Sequence, residues 1–170
     1  MKKNTIFLGV FLALALILSY VESLIPFFGG IPGFKLGLPN LVIVLALYLY
    51  GCREAFLLNL LRVLVAGFLF GNLYMILYSL AGALCSYFIM VLLKQFKIFS
   101  LITVSICGGV FHNIGQIIVA YFVIKTYGIF YYLPVLMIAG IFTGALNGLI
   151  ASLVKPYLQR ITQPDTIQNL

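Results

Sequence analysis

The chain has 170 residues, of which 64% are hydrophobic and only 8% charged. A soluble domain carries about a quarter charged residues, so this composition excludes one and points to the bilayer. The net charge of +7 comes from lysines and arginines set singly at the ends of apolar runs, which excludes a solvated basic stripe for nucleic acid and makes them topology signals.

The first element is an apolar run near residues 5–25 behind Lys2 and Lys3. It continues past the core length of a signal peptide and lacks an Ala-x-Ala end before Glu22, so a retained first helix is expected. Further spans are expected near 38–51, 54–70, 73–93, 99–124 and 129–154, divided by charges, Gly/Pro clusters and short polar breaks. The last two exceed the roughly 20 residues that one crossing needs, so tilt or helical extension beyond the bilayer is expected of them. The fold expected is an all-α, six-helix transmembrane bundle forming one domain over 1–155, followed by a polar cytoplasmic tail over 156–170.

Between the first two spans lies Pro26 to Pro39, whose four glycines and three prolines exclude a continuous helix and predict a shaped cap over one membrane face. With the N-terminus inside, Lys2, Lys3, Arg53, Lys94, Lys97, Lys155 and Arg160 are cytoplasmic while Lys35 and Lys125 are outside. That bias places both termini in the cytoplasm of a cell-membrane protein and turns the loop outward.

Small residues mark helix contacts, since close backbone approach supplies the packing energy in lipid. Gly140, Gly144 and Gly148, with Ser152, make one smooth face of the sixth span. Gly9 and Ala13 do the same on the first, where either bundle packing or docking of a partner helix would use them. Ser79, Gly82, Ala83 and Ser86 add a similar stretch on the fourth.

Arg62 falls near the middle of the third span, where a charge costs about 2.5–3.5 kcal/mol on insertion scales. It must either bridge to Glu22, at the outer end of the first span, or meet an anionic ligand group. His112, Asn113 and Gln116 form the densest polar cluster, with His112 and Gln116 on one helix face beside Gly108 and Gly109. Interhelical bonding and ligand contact are both open to them. Asn59, three residues before Arg62, and Asn147 are weaker candidates of the same type, and Lys35 and Asn40 would contact a ligand from the loop side.

A single histidine without a carboxylate neighbour makes neither a metal site nor an acid–base pair. Cys52, Cys85 and Cys107 are too far apart in sequence for a metal or disulfide framework. No catalytic residue, metal or cofactor is therefore expected.

Taken together, Glu22-Ser-Leu-Ile-Pro26, Pro32-Gly-Phe-Lys-Leu-Gly-Leu-Pro-Asn40, Arg53-Glu-Ala55 with Leu61-Arg62-Val63, Tyr78-Ser-Leu-Ala-Gly82 and His112-Asn-Ile-Gly-Gln116 resemble the small bacterial membrane family called Gx transporter, also labelled heptaprenyl diphosphate synthase component I. That family in turn looks like the substrate-binding S-components of energy-coupling factor (ECF) transporters. The resemblance implies a six-helix bundle with both ends inside, whose outward loop closes over a vitamin-sized ligand or cofactor precursor. It also implies that small residues of the first helix dock on a coupling transmembrane subunit driven by ATPases. Gly9 and Ala13 stand where S-components usually carry two alanines. The enzyme label fits chemistry less well. Prenyl elongation needs clustered aspartates for Mg²⁺ and diphosphate, and Asp165 is the chain's one aspartate. The alternative is a non-catalytic accessory subunit in prenyl diphosphate, isoprenoid quinone or membrane flavin redox metabolism, with quinone or flavin-redox partners in place of ATPases.

Overall fold

The computed structural model describes residues 2–24, 37–125 and 127–162, and within these the side chains of residues 6–24, 37–123, 125 and 127–162. Those residues form six α-helices: α1 (Lys2–Leu24), α2 (Leu38–Leu49), α3 (Cys52–Phe70), α4 (Leu73–Gln95), α5 (Leu101–Ile124) and α6 (Leu133–Thr162), with a short 3-10 helix at Tyr127–Tyr132 before α6. No strand occurs among them.

The ends of these helices follow from local chemistry. Gly37 takes a left-handed conformation (φ 66°) ahead of α2, and Pro39 sits in the first turn, where its missing N–H costs nothing. Gly51, at φ 106°, breaks the chain between α2 and α3. The Asn72 side chain caps α4 by accepting from Met75 N at 2.9 Å, and Ser100 Oγ caps α5 by accepting from Thr103 N at 3.1 Å.

Successive helices run antiparallel. Gly109 meets Gly140 and Gly148 meets Ile102 across α5 and α6, Asn59 bonds to Ala83 across α3 and α4, and Phe11 stacks edge-on with Tyr50 across α1 and α2. The contacts close a ring in the order α1, α2, α6, α5, α4, α3 and back to α1, with α2 also touching α3.

Six spans are expected from the sequence; four helices are long and apolar enough to cross a membrane: Ile6–Leu24 in α1, Leu73–Gln95, Leu101–Val123 and the stretch Tyr127–Thr162. These make the chain a membrane protein. Of the remaining two, α3 carries Arg53, Glu54 and Arg62. The 12 residues of α2 rise only about 18 Å. From Val42 to Leu47 every α2 side chain is buried, so this helix is apolar all round because it is the core of the bundle. The last helix continues to Thr162 with Pro156 inside it, eight residues beyond the expected end of its span and into the stretch expected as a tail. Residues 163–170, with Asp165, lie outside the described residues, as do 26–36 of the expected cap.

Candidate ligand-binding cavity

Where α1 ends, α2 begins and α3 turns into α4, the ring leaves a cavity of about 280 Å³ reached by all six helices. Its polar lining is Glu22, Asn40, Arg62, His112, Asn113 and Thr143, with Ser19, Ser23 and Ser79, and its apolar lining is Val63, Ala66, Phe70 and Met75.

Arg62 is the centre of this arrangement. It is 8% exposed, in the interior of a helix. A guanidinium so far from water must be satisfied by the protein or by something bound. Its Nη2 donates to Asn59 Oδ1 at 3.0 Å and to Asn40 Oδ1 at 3.4 Å. Its Nε is buried without a hydrogen-bond partner. Asn59, one turn earlier on α3, does not line the cavity: it stands behind Arg62 and anchors itself through Nδ2 to the Ala83 carbonyl at 3.1 Å.

Glu22 lines the same cavity. Its carboxylate accepts from the backbone N–H of Gly37 at 2.5 Å, so it sits as an anion at the positive end of α2. The Gly37 carbonyl accepts from Asn147 Nδ2 at 2.9 Å, which ties α6 to the same point. Gly37 thus joins α1, α2 and α6 at the cavity wall.

On α5, Asn113 donates to the Leu136 carbonyl of α6 at 2.6 Å while still lining the cavity. His112 packs against Gly82 of α4: a Cβ there would come within 3.0 Å of the imidazole Cε1 and 2.8 Å of the His112 carbonyl oxygen. Gln116, one turn on, is buried against the same glycine and does not line the cavity. Of the residues singled out in the sequence, the structure therefore brings Glu22, Asn40, Arg62, His112 and Asn113 together and sets Asn59, Gln116 and Asn147 in supporting positions. Lys35 lies outside the described residues. Ser19, Ser79, Thr143, Phe70 and Met75 line the cavity and were not expected there. Ser19 and Thr143 bond their hydroxyls to the preceding turn of their own helices, at Ala15 and Gly140, and leave no polar periodicity to read.

The glycine face of α6 lies on α5. A Cβ at Gly140 would stand 2.8 Å from the Gly109 carbonyl oxygen, at Gly144 2.7 Å from Ile106 Cα, and at Gly148 2.8 Å from Ile102 Cα. Ser105 Oγ donates to the Gly144 carbonyl at 2.8 Å across this seam. Gly9 and Ala13, by contrast, are exposed on α1, and a Cβ at Gly9 would meet nothing within 4 Å. Among the described residues no three His, Cys, Asp or Glu side chains converge as a metal site would require.

A helical bundle with apolar walls and a polar interior cavity around a buried arginine defines a membrane protein with room for a small polar group. The heptaprenyl diphosphate synthase component I family matches the chain over residues 11–154, and the chain belongs to that family. Comparison with curated proteins and with solved structures returns no match.

Proposed function

We propose that the chain is the membrane-embedded binding subunit of a small-molecule transporter, similar in plan to an ECF S-component, with Arg62 receiving the anionic or polar end of the ligand. The observation that supports this most directly is Arg62 itself, a charge nearly sealed from water, steadied by two amide oxygens and bordering a cavity. The cavity volume is about 280 Å³. That matches a ligand's polar head, with Asn40, His112 and Asn113 as further hydrogen-bonding groups and Glu22 beside them. Asn59 and Gln116 act in this reading by positioning their neighbours, and Lys35 would approach from the loop.

The proposal includes six crossings and both termini in the cytoplasm. Arg53, Lys94, Lys97, Lys155 and Arg160 belong to the helix ends away from the cavity, while Lys125 follows α5 at the cavity end. By the positive-inside rule the cavity then opens outward. The exposed face of α1 at Gly9 and Ala13 would dock on a coupling transmembrane subunit whose ATPases supply the energy.

A second reading is favoured by the family's description: a non-catalytic accessory subunit that works beside a prenyl diphosphate synthase, or with quinone or flavin-redox partners. One aspartate in the whole chain cannot build the Mg²⁺–diphosphate site of such a synthase.

Affinity purification from the native host in mild detergent, with mass spectrometry of co-purifying proteins and metabolites, separates the two. Two ATPases and a coupling subunit would support transport; a prenyltransferase would support the accessory role. Arg62→Gln should abolish retention of the co-purifying metabolite while the protein still elutes as a folded species, and undiminished retention would remove Arg62 from the site.

A further inference from the structure

At the end of the bundle away from the cavity, α2, α4 and α6 meet around Tyr48. The ammonium of Lys94 lies 5.2 Å from the centroid of the Tyr48 ring and that of Lys155 lies 5.1 Å from the same centroid. Lys94 Nζ also donates to the Leu47 carbonyl at 2.5 Å, which fixes it at the negative end of α2. Lys155 has no such tether. Both side chains are partly buried. Two ammonium groups against one ring at the rim of an apolar bundle can be met together by an anion.

The described part of the chain does not supply one. Its carboxylates are Glu22, at the cavity, and Glu54, in the first turn of α3, and neither lysine is bonded to a carboxylate there. Arg53, Lys97 and Arg160 stand exposed at the same helix ends and add to the positive field.

We propose that Lys94 and Lys155, set against the Tyr48 ring, form a binding site for a phosphate group, separate from the cavity. Phosphate offers several acceptor oxygens, so one group can take a charge-assisted hydrogen bond from each ammonium. Its source is either the headgroup of an anionic phospholipid, because the site lies where helices end, or a phosphate from the aqueous phase. The site does not depend on what the cavity holds.

The test uses the full chain purified in detergent. Native mass spectrometry follows retention of phosphatidylglycerol against phosphatidylcholine, and thermal unfolding is followed with and without inorganic phosphate. Wild type should retain phosphatidylglycerol preferentially. Lys155→Gln should reduce that retention about tenfold, the equivalent of about 1.4 kcal/mol, Lys155→Arg should restore it, and Lys125→Gln, at the other end, should leave it unchanged. Stabilisation by inorganic phosphate that is lost in Lys155→Gln, without lipid preference, assigns the same site to an aqueous phosphate. If Lys155→Gln alters neither readout, or if Lys125→Gln alters them equally, the site is refuted.

Discussion

Asn59 and Arg62 lie one turn apart on α3, and the amide of Asn59 is shared between two helices: Oδ1 receives Arg62 Nη2 at 3.0 Å while Nδ2 reaches the Ala83 carbonyl at 3.1 Å. The pair is therefore a bracket that fixes the guanidinium against α4.

Removing the bracket should be felt as stability as well as geometry. Asn59→Ala strips a partner from a buried charged donor, and leaving such a group unsatisfied costs about 1–3 kcal/mol. Equilibrium unfolding in detergent of Asn59→Ala, Arg62→Gln and the double variant should give a coupling within about 0.5–3 kcal/mol. Strictly additive effects would show that the two side chains act independently.

The α5–α6 seam and the α1 face make opposite predictions for the same substitution. Gly144→Ala puts a methyl 2.7 Å from Ile106 Cα, a backbone atom that cannot swing away. Overpacking of this kind costs about 1–3 kcal/mol. Gly9→Ala meets nothing within 4 Å and gains up to about 1 kcal/mol of helix propensity. Unfolding transitions of the two variants should shift in opposite directions; a stable Gly144→Ala protein would mean the helices are not in this contact.

At Gly37 the requirement is conformational. Its φ of 66° costs an ordinary L-residue about 1–2 kcal/mol, whereas asparagine tolerates it. Gly37→Ala should lower the unfolding temperature more than Gly37→Asn. The reverse order would indicate that space beside Asn40 Nδ2, 3.2 Å from an added Cβ, governs the position instead.

Glu22 offers a fourth case. Glu22→Gln keeps an oxygen for the Gly37 N–H but removes the charge placed at the α2 N-terminus, where an anion contributes about 0.3–1 kcal/mol, and up to about 2 in partly buried settings. Glu22→Ala removes the bond as well. The expected order of stability, wild type then glutamine then alanine, is read from the same unfolding assay, and a glutamine variant as weak as alanine would assign the whole effect to charge.

Much of the architecture was legible because apolar runs and breakers act locally. Helix starts at Leu38 and Leu73 follow from Gly37, Pro39 and Asn72, and the four-residue glycine spacing of α6 is the face that lies on α5. Hydropathy alone does not count the spans. The run at α2 looks like a lipid-facing segment by composition, yet a helix can be apolar on all sides because protein surrounds it, and hydropathy does not separate the two environments. At the C-terminal side, Lys155 and Pro156 mark the expected end of the span, and α6 continues past them to Thr162.

For the cavity, cost was the useful signal. Arg62 and Glu22 are conspicuous because charges are rare in such a chain, and both line the cavity. Composition could not say which amides face the cavity and which stand behind. That Asn59 lies behind Arg62 depends on where α4 passes, a tertiary fact. Thr143 and Phe70 carry no local sign of their position at all.

The seam between α5 and α6 has a further consequence. Side-chain contacts can be exchanged through new rotamers, but backbone resting on backbone at Gly109, Gly140 and Gly144 has no such freedom, and Asn113 is clamped to Leu136 along the same line. These two helices can tilt only as a unit, so they form a fixed jaw. Any widening of the cavity must come from the walls formed by the other four helices.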